Sequence, residues 1–411
     1  MELTVHLPEP HTRQMEFLRS PKPRKVIRAG RRGGKTVGIS IKAVEAFLAG
    51  RRVLYAAPTN DQVDTFWRHV CRALQEPIDR KLYYKNETEH VIELLRTEQR
   101  IKAKTAWNAE TLRGDYADLL ILDEFQLMNE DAWGVVGAPM LLDNNGDAVF
   151  IYTPPSVRTA GLSKARDKRH AAKMFKAAQA DTSGRWGAFS FSSHDNPYLD
   201  QTALREITGD MTNLAYRQEI MAEDIEEIPG ALWSYSMLDA HRVTDVPPLM
   251  RIVVGVDPKA SVEADSETGI VVAGLSAEGH VYILGDYSVD ASPEQWARRV
   301  AYAYEAHSAD RIVAEVNQGG DMVVSVLRAT GIHLSITQVR ATRGKFVRAE
   351  PVAALYEQGK AHHVGTFGDL EGQLTSWVPG DKSPDRLDAL VWACTALREG
   401  GPAVMGPDIW G

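Results

Sequence analysis

At 411 residues the chain is long enough for two or three domains, and its 44% apolar and 25% charged content is that of a globular protein. A formal net charge of -8 excludes a global field that attracts polyanions, so any nucleic-acid contact has to come from local basic patches. Cys71 and Cys394 lie far apart and offer neither a disulfide framework nor a zinc site, the first residues lack the layout of a secretory leader, and no apolar run approaches the roughly 18 residues of a membrane span.

Gln14 lies in a short helix within P-E-P-H-T-R-Q-M-E-F-L, and its amide is able to pair with a donor and an acceptor on an adenine edge. Val26 and Ile27 then form a short strand running into A-G-R-R-G-G-K-T, residues 29–36. Gly30, Arg32, Gly33 and Gly34 make a glycine-rich turn whose backbone N–H groups curl round a phosphate. Lys35 reaches the outer phosphates, and the Thr36 hydroxyl is placed to ligate Mg²⁺. Ala29 stands where the usual G-x-x-x-x-G-K-[ST] pattern has its first glycine. A helix follows over about 35–49, ended by Gly50, then a buried strand at 53–57, a helix over about 60–75 and a hairpin within 82–104.

The apolar run L-L-I-L, residues 119–122, predicts a buried strand that delivers Asp123 and Glu124 to the carboxyl edge of a sheet. Asp123 there holds Mg²⁺, directly or through water, and Glu124 polarises the water that attacks a γ-phosphate. A further strand at 148–152 ends at Thr153, a small hydroxyl suited to sensing nucleotide state. Arg31 is placed to stabilise phosphoryl charge within its own subunit, and Arg113 to do so for a neighbour in a ring. The basic stretch 158–176 reads as a helical lid or DNA-facing segment.

Residues 221–250 are acidic and proline-bearing, the composition of a linker. Three strands in hairpin order follow, ending at Asp257 and covering 269–276 and 280–287. A helix over about 293–307, a strand at 311–316 carrying Glu315, a helix over about 321–329 and a strand at 334–339 come next. A late helix contains D-R-L-D-A-L-V-W-A, with Asp385 and Asp388 on one face and Asp385 also suited to an N-cap. This is the ribonuclease-H-like order. It gathers carboxylates from distant segments, and like charges so close require a cation. One or two Mg²⁺ or Mn²⁺ ions are implied, two being the expectation, with Asp257 bridging and Glu315 and Asp388 (or Asp385) on either side. The basic run 340–348 is suited to guiding a DNA backbone past them.

The order of these motifs resembles the large subunit of tailed-bacteriophage terminases over nearly the whole chain. R-A-G-R-R-G-G-K-T is similar to that family's deviant phosphate loop, including the missing first glycine and the early arginine. L-R-G with L-L-I-L-D-E, then Y-T-P, resemble its arginine, glutamate and coupling segments. S-S-H-D-N-P-Y-L and Y-R-Q-E-I-M-A-E-D resemble the stretches before its domain linker. V-G-V-D-P, the glutamate strand and D-R-L-D-A-L-V-W-A resemble its nuclease motifs. Gln14 falls where the family's adenine-contacting glutamine is expected.

The resemblance implies an α/β chain of two domains. A P-loop ATPase domain with a mainly parallel sheet spans 1–225, with a lid at about 158–225. A linker at 226–250 leads to a ribonuclease-H-like nuclease domain with a mixed sheet at 251–411. It further implies ATP as the fuel and double-stranded DNA as the substrate. The expected partners are a homo-oligomeric ring, usually a pentamer, a portal protein and a small terminase subunit. The place of work is the host bacterial cytoplasm, docked transiently on the procapsid and absent from the mature virion. Two other classes remain in view: an ATP-dependent helicase–nuclease of DNA repair or recombination, and a scaffold whose sites have decayed. The presence of Lys35, Glu124, Asp257 and Glu315 argues against the last.

Overall fold

Two sheets organise the chain, one in each of two units that divide between Ile225 and Glu226. The computed structural model describes residues 4–399 apart from 107, 156–162, 210, 226, 259–266, 317–319, 332–333, 342–343 and 382–383. The first unit contains β1 (Arg24–Ala29), β2 (Arg52–Ala57), β3 (Tyr84–Asn86), β4 (Val91–Glu93), β5 (Arg100–Thr105), β6 (Leu119–Leu122), β7 (Asp147–Tyr152) and β8 (Trp186–Phe191). They lie in the order β3-β4-β5-β2-β6-β7-β1-β8, parallel from β5 to β8 with an antiparallel hairpin at the β3 edge. A central parallel strand is covered on both faces, which is why β6 is an unbroken apolar run with every residue buried. Alternate residues enter opposite layers: Ile27 packs in one core cluster with Phe17, Val44 and Phe66, and Val26 in another with Phe150 and Phe175.

The helix after β1 runs Lys35–Leu48, and the next runs Asn60–Ala73 behind a Thr59/Gln62 capping box; both are slightly shorter than the sequence suggests. The stretch expected as a lid needs a larger correction. Its residues 186–191 form β8, which pairs along all of β1, and the helix His170–Gln179 packs on the same sheet. Residues 158–162 of that stretch lie outside those described.

The second unit contains β9 (Leu249–Asp257), β10 (Gly269–Ser276), β11 (Val281–Asp286), β12 (Arg311–Glu315), β13 (Ile336–Val339) and β14 (Ala361–His363). The order is β13-β12-β9-β10-β11-β14, with β9, β10 and β11 antiparallel and the remaining strands parallel to their neighbours. The helix Asp385–Glu399 lies across β9 and β10 at backbone contact. A Cβ at Gly255 would collide with the Ala389 carbonyl, and one at Gly269 with the Asp385 carbonyl. Residues 226–250 are not a bare linker. Trp233 and Leu238, both 1% exposed, are buried in the core of this unit, so its composition misled where two apolar anchors decide. Among the described residues no helix is long and apolar enough to cross a membrane.

Candidate active sites

In the first unit the loop 30–34 turns on Gly34, which has φ +91° and caps the helix Lys35–Leu48. A Cβ at Gly34 would come within 2.8 Å of Gln14 Nε2, so glycine is required twice over. The loop is tied down from several sides. Gly30 N donates to Phe191 O at 3.0 Å and Arg31 N to Glu219 O at 2.6 Å. Ser193 Oγ and Asn196 Nδ2 donate to the carbonyls of Arg31 and Arg32 at 2.5 and 2.8 Å. Arg31 also pairs with Glu219 at 3.1 Å while remaining largely exposed.

Lys35 Nζ donates to Thr153 Oγ1 and lies 3.3 Å from Glu124 Oε1, which brings the loop, β6 and β7 together at one point. These three residues, with Arg31, Arg32, Gly34 and Thr36, line a cavity of about 620 Å³. A second cavity of about 550 Å³ adjoins it through Gly34, Val37 and His69 and is walled by residues 6–9 and Gln14.

Glu124 has φ +49°, a left-handed conformation that a non-glycine residue adopts at a cost, and Gln126 Nε2 donates to its carboxylate at 2.6 Å. Asp123 sits behind it, 3% exposed, outside the residues lining the cavity, accepting from Tyr55 OH at 2.8 Å. Burial, then the neighbouring Glu124 charge, pushes the Asp123 carboxyl up to about 6.

Gln14 and Arg113 stand apart from the residues around Lys35. Gln14 borders the second cavity; its Nε2 donates to Gly34 O at 2.7 Å and its Oε1 accepts from His11 N at 2.9 Å. Its amide braces the loop. Arg113 is exposed, pairs with Glu110 at 2.8 Å and lines neither cavity.

In the second unit β9 ends at Asp257, the parallel β12 ends at Glu315, and the late helix sets Asp388 in its first turn. Burial, then the charges of Asp388, Glu315 and Asp385, raise the Asp257 carboxyl well above its ordinary value, so the four acids do share one field. Asp385 Oδ2 accepts from Glu267 N at 2.9 Å. Glu315, 7% exposed, accepts from Trp392 Nε1 at 2.5 Å. Asp388, 2% exposed, accepts from Lys345 Nζ at 2.7 Å, and Arg348 lies 3.7 Å from Glu315 and 3.9 Å from Asp388.

The donors suit a hard divalent cation. Among the described residues, however, no three acid, histidine or cysteine side chains are grouped so as to hold an ion, and the charge is balanced by Lys345 and Arg348. The basic run 340–348 therefore turns two of its cations onto the acids rather than presenting them all to solvent; Arg343 lies outside the described residues. Sequence reasoning missed Gln126, Glu219, Lys345, Arg348 and Trp392 as site residues. The i, i+3 spacing of Lys345 and Arg348 was the one available signal for a common face.

A two-domain α/β chain with a mainly parallel sheet and a ribonuclease-H-like mixed sheet is the class these observations define. Residues 254–397 match the family model described as "Terminase RNaseH-like domain". No curated protein matches the sequence. Among solved structures, the HK97 bacteriophage large terminase is 13% identical, with 95% of each chain covered and a TM-score of 0.49. The Thermus phage P74-26 large terminase ATPase domain is 20% identical over 53% of this chain and 94% of its own, with a TM-score of 0.43.

Proposed function

We propose that this chain is the motor subunit of a viral DNA-packaging machine, an ATPase that drives double-stranded DNA into a capsid, joined to an endonuclease that cuts concatemeric DNA. The observation that carries the reading is the pairing, in one chain, of Lys35 against Glu124 over a cavity of about 620 Å³ with an acid cluster inside a stretch that matches a terminase RNaseH-like domain.

In the first unit the backbone of Gly30 to Gly34 and Lys35 bind the phosphates, with Thr36 beside the ion that accompanies ATP. Binding competes with Glu124 and Thr153 for Lys35, which frees Glu124 to orient water. Asp123, buried and hydrogen-bonded to Tyr55, acts from behind through water. Arg31 acts within its own subunit, and Arg113, exposed, is available to a neighbour in a ring.

In the second unit Asp257, Glu315 and Asp388 would hold Mg²⁺ or Mn²⁺ once Lys345 gives way, with Asp385 fixing the start of its helix through Glu267. The bound cation supplies activation of water and a clamp on the scissile phosphate. Trp392 orients Glu315 by its indole N–H. The implied partners are a ring of copies of this chain on a capsid portal and a small DNA-recognising subunit, working in the host cytoplasm on the procapsid.

The test compares plasmid cleavage and ATP turnover in wild type, Asp257→Asn and Glu124→Gln, in Mg²⁺ or Mn²⁺. Cleavage is expected to fall at least about 100-fold only in Asp257→Asn, and ATP turnover by a similar factor only in Glu124→Gln. Cleavage that survives in Asp257→Asn removes the nuclease assignment. ATP-dependent unwinding of a short duplex points instead to a repair helicase–nuclease.

A further inference from the structure

Arg348 is the polar side chain of the second unit that packing alone explains least. Its side chain is 9% exposed, its guanidinium lies 4.5 Å over the Trp392 ring, and it faces Glu315 at 3.7 Å and Asp388 at 3.9 Å. Nε, Nη1 and Nη2 are all buried, and none makes a hydrogen bond. A guanidinium keeps its charge at any relevant pH, and burying one without hydrogen bonds is costly unless nearby charge compensates it. Lys345, one turn earlier, differs in kind. It is half exposed, sits on a flexible stem and bonds Asp388 directly at 2.7 Å, so it is free to swing into solvent. Arg348 has no such exit, being walled in by Trp392 and the two acids.

We propose that Arg348 is a built-in cation of the acid cluster, standing where a second divalent ion otherwise sits, so that this domain takes a single Mg²⁺ or Mn²⁺. The inference rests on the nuclease reading given above. Glu315 and Asp388 are the acids expected on either side of Asp257. A fixed positive charge beside both opposes a second cation there, while Asp257 faces the three acids with only the exposed, displaceable Lys345 acting against them, and still draws one. Lys345 is the cation that yields when the ion enters. Arg348 remains in the cluster as a positioning residue.

The experiment counts Mn²⁺ bound to the full chain without nucleotide, from the free-ion electron paramagnetic resonance signal. Ions lost on Asp257→Asn are assigned to the cluster. Wild type is expected to hold one such ion per chain and Arg348→Lys also one. Arg348→Met, whose unbranched stem keeps contact with Trp392, is expected to hold two. Two ions in the wild type, or one in a folded Arg348→Met, overturn the proposal and leave the nuclease reading intact. If Arg348→Met does not fold, the wild-type and Arg348→Lys counts decide. An unchanged count and undiminished cleavage in Asp257→Asn overturn the nuclease reading itself, and the proposal with it.

Discussion

Four carboxylates are buried among the described residues, and the two units treat them in opposite ways. In the first unit Asp123 is held by the neutral hydroxyl of Tyr55, and its carboxyl is pushed up to about 6. In the second, Glu315, Asp388 and Glu371 each face an arginine. Burial alone raises Glu371, but hydrogen bonds from His363 and the forked guanidinium of Arg242, at 2.6 and 3.0 Å, bring it down to about 2. Equal burial therefore does not fix a carboxyl's behaviour; the charge of its hydrogen-bond partner does. A neutral partner leaves the burial of the acid's charge largely uncompensated. The hydrogen-bonded guanidinium of Arg242 commits Glu371 to the fold.

The largest expected effect comes from breaking the committed pair. Glu371→Gln leaves Arg242 buried against an uncharged amide and should cost about 3–5 kcal/mol, read as a lowered melting temperature. Acid should act the same way. The Glu371 carboxyl is held below its ordinary 4.5, so its contribution is complete above that value and is lost as pH falls from 4.5 toward 2. Hydrogen exchange in the helix Gly368–Ser376 is the local readout.

Asp123 should show the opposite sign. Its carboxyl is raised above the ordinary 3.8, so its contribution is complete below that value and is lost as pH rises through about 6. Asp123→Asn should accordingly stabilise the nucleotide-free chain by about 1–2 kcal/mol at pH 8 and by much less at pH 5, followed by exchange in β6. If the gain is equal at both values, burial of the charge is not what disturbs Asp123. The smallest effect is expected for Tyr55→Phe, a loss of about 1 kcal/mol from one buried hydrogen bond.

Short-range pattern made much of this legible. The loop 29–36 and the acid-ended strands announce themselves within ten residues, and both sheets form around them as expected. Edge pieces did not. β8 reads W-G-A-F-S-F, half-buried and glycine-bearing, with no clean alternation, and only its pairing with β1 makes it a strand. Trp233 and Leu238 sit in an acidic, proline-bearing stretch whose average hides them. The partner that turns Arg348 inward, Trp392, lies 44 residues away on another helix, and no local spacing reveals such a pair. The bond from Gln14 to Gly34 was not legible either, because its acceptor is a backbone carbonyl 20 residues away.

The late helix rests on β9 and β10 through backbone at Gly255 and Gly269, with no side chain between. The interval between Asp257 and Asp388 is therefore a fixed gauge. It is not adjustable by trading one core residue for a larger or smaller one, the ordinary route by which site dimensions drift among relatives. What remains open to variation is the helix Lys345–Glu357, where a substitution changes the charge offered to the acids and leaves their separation untouched.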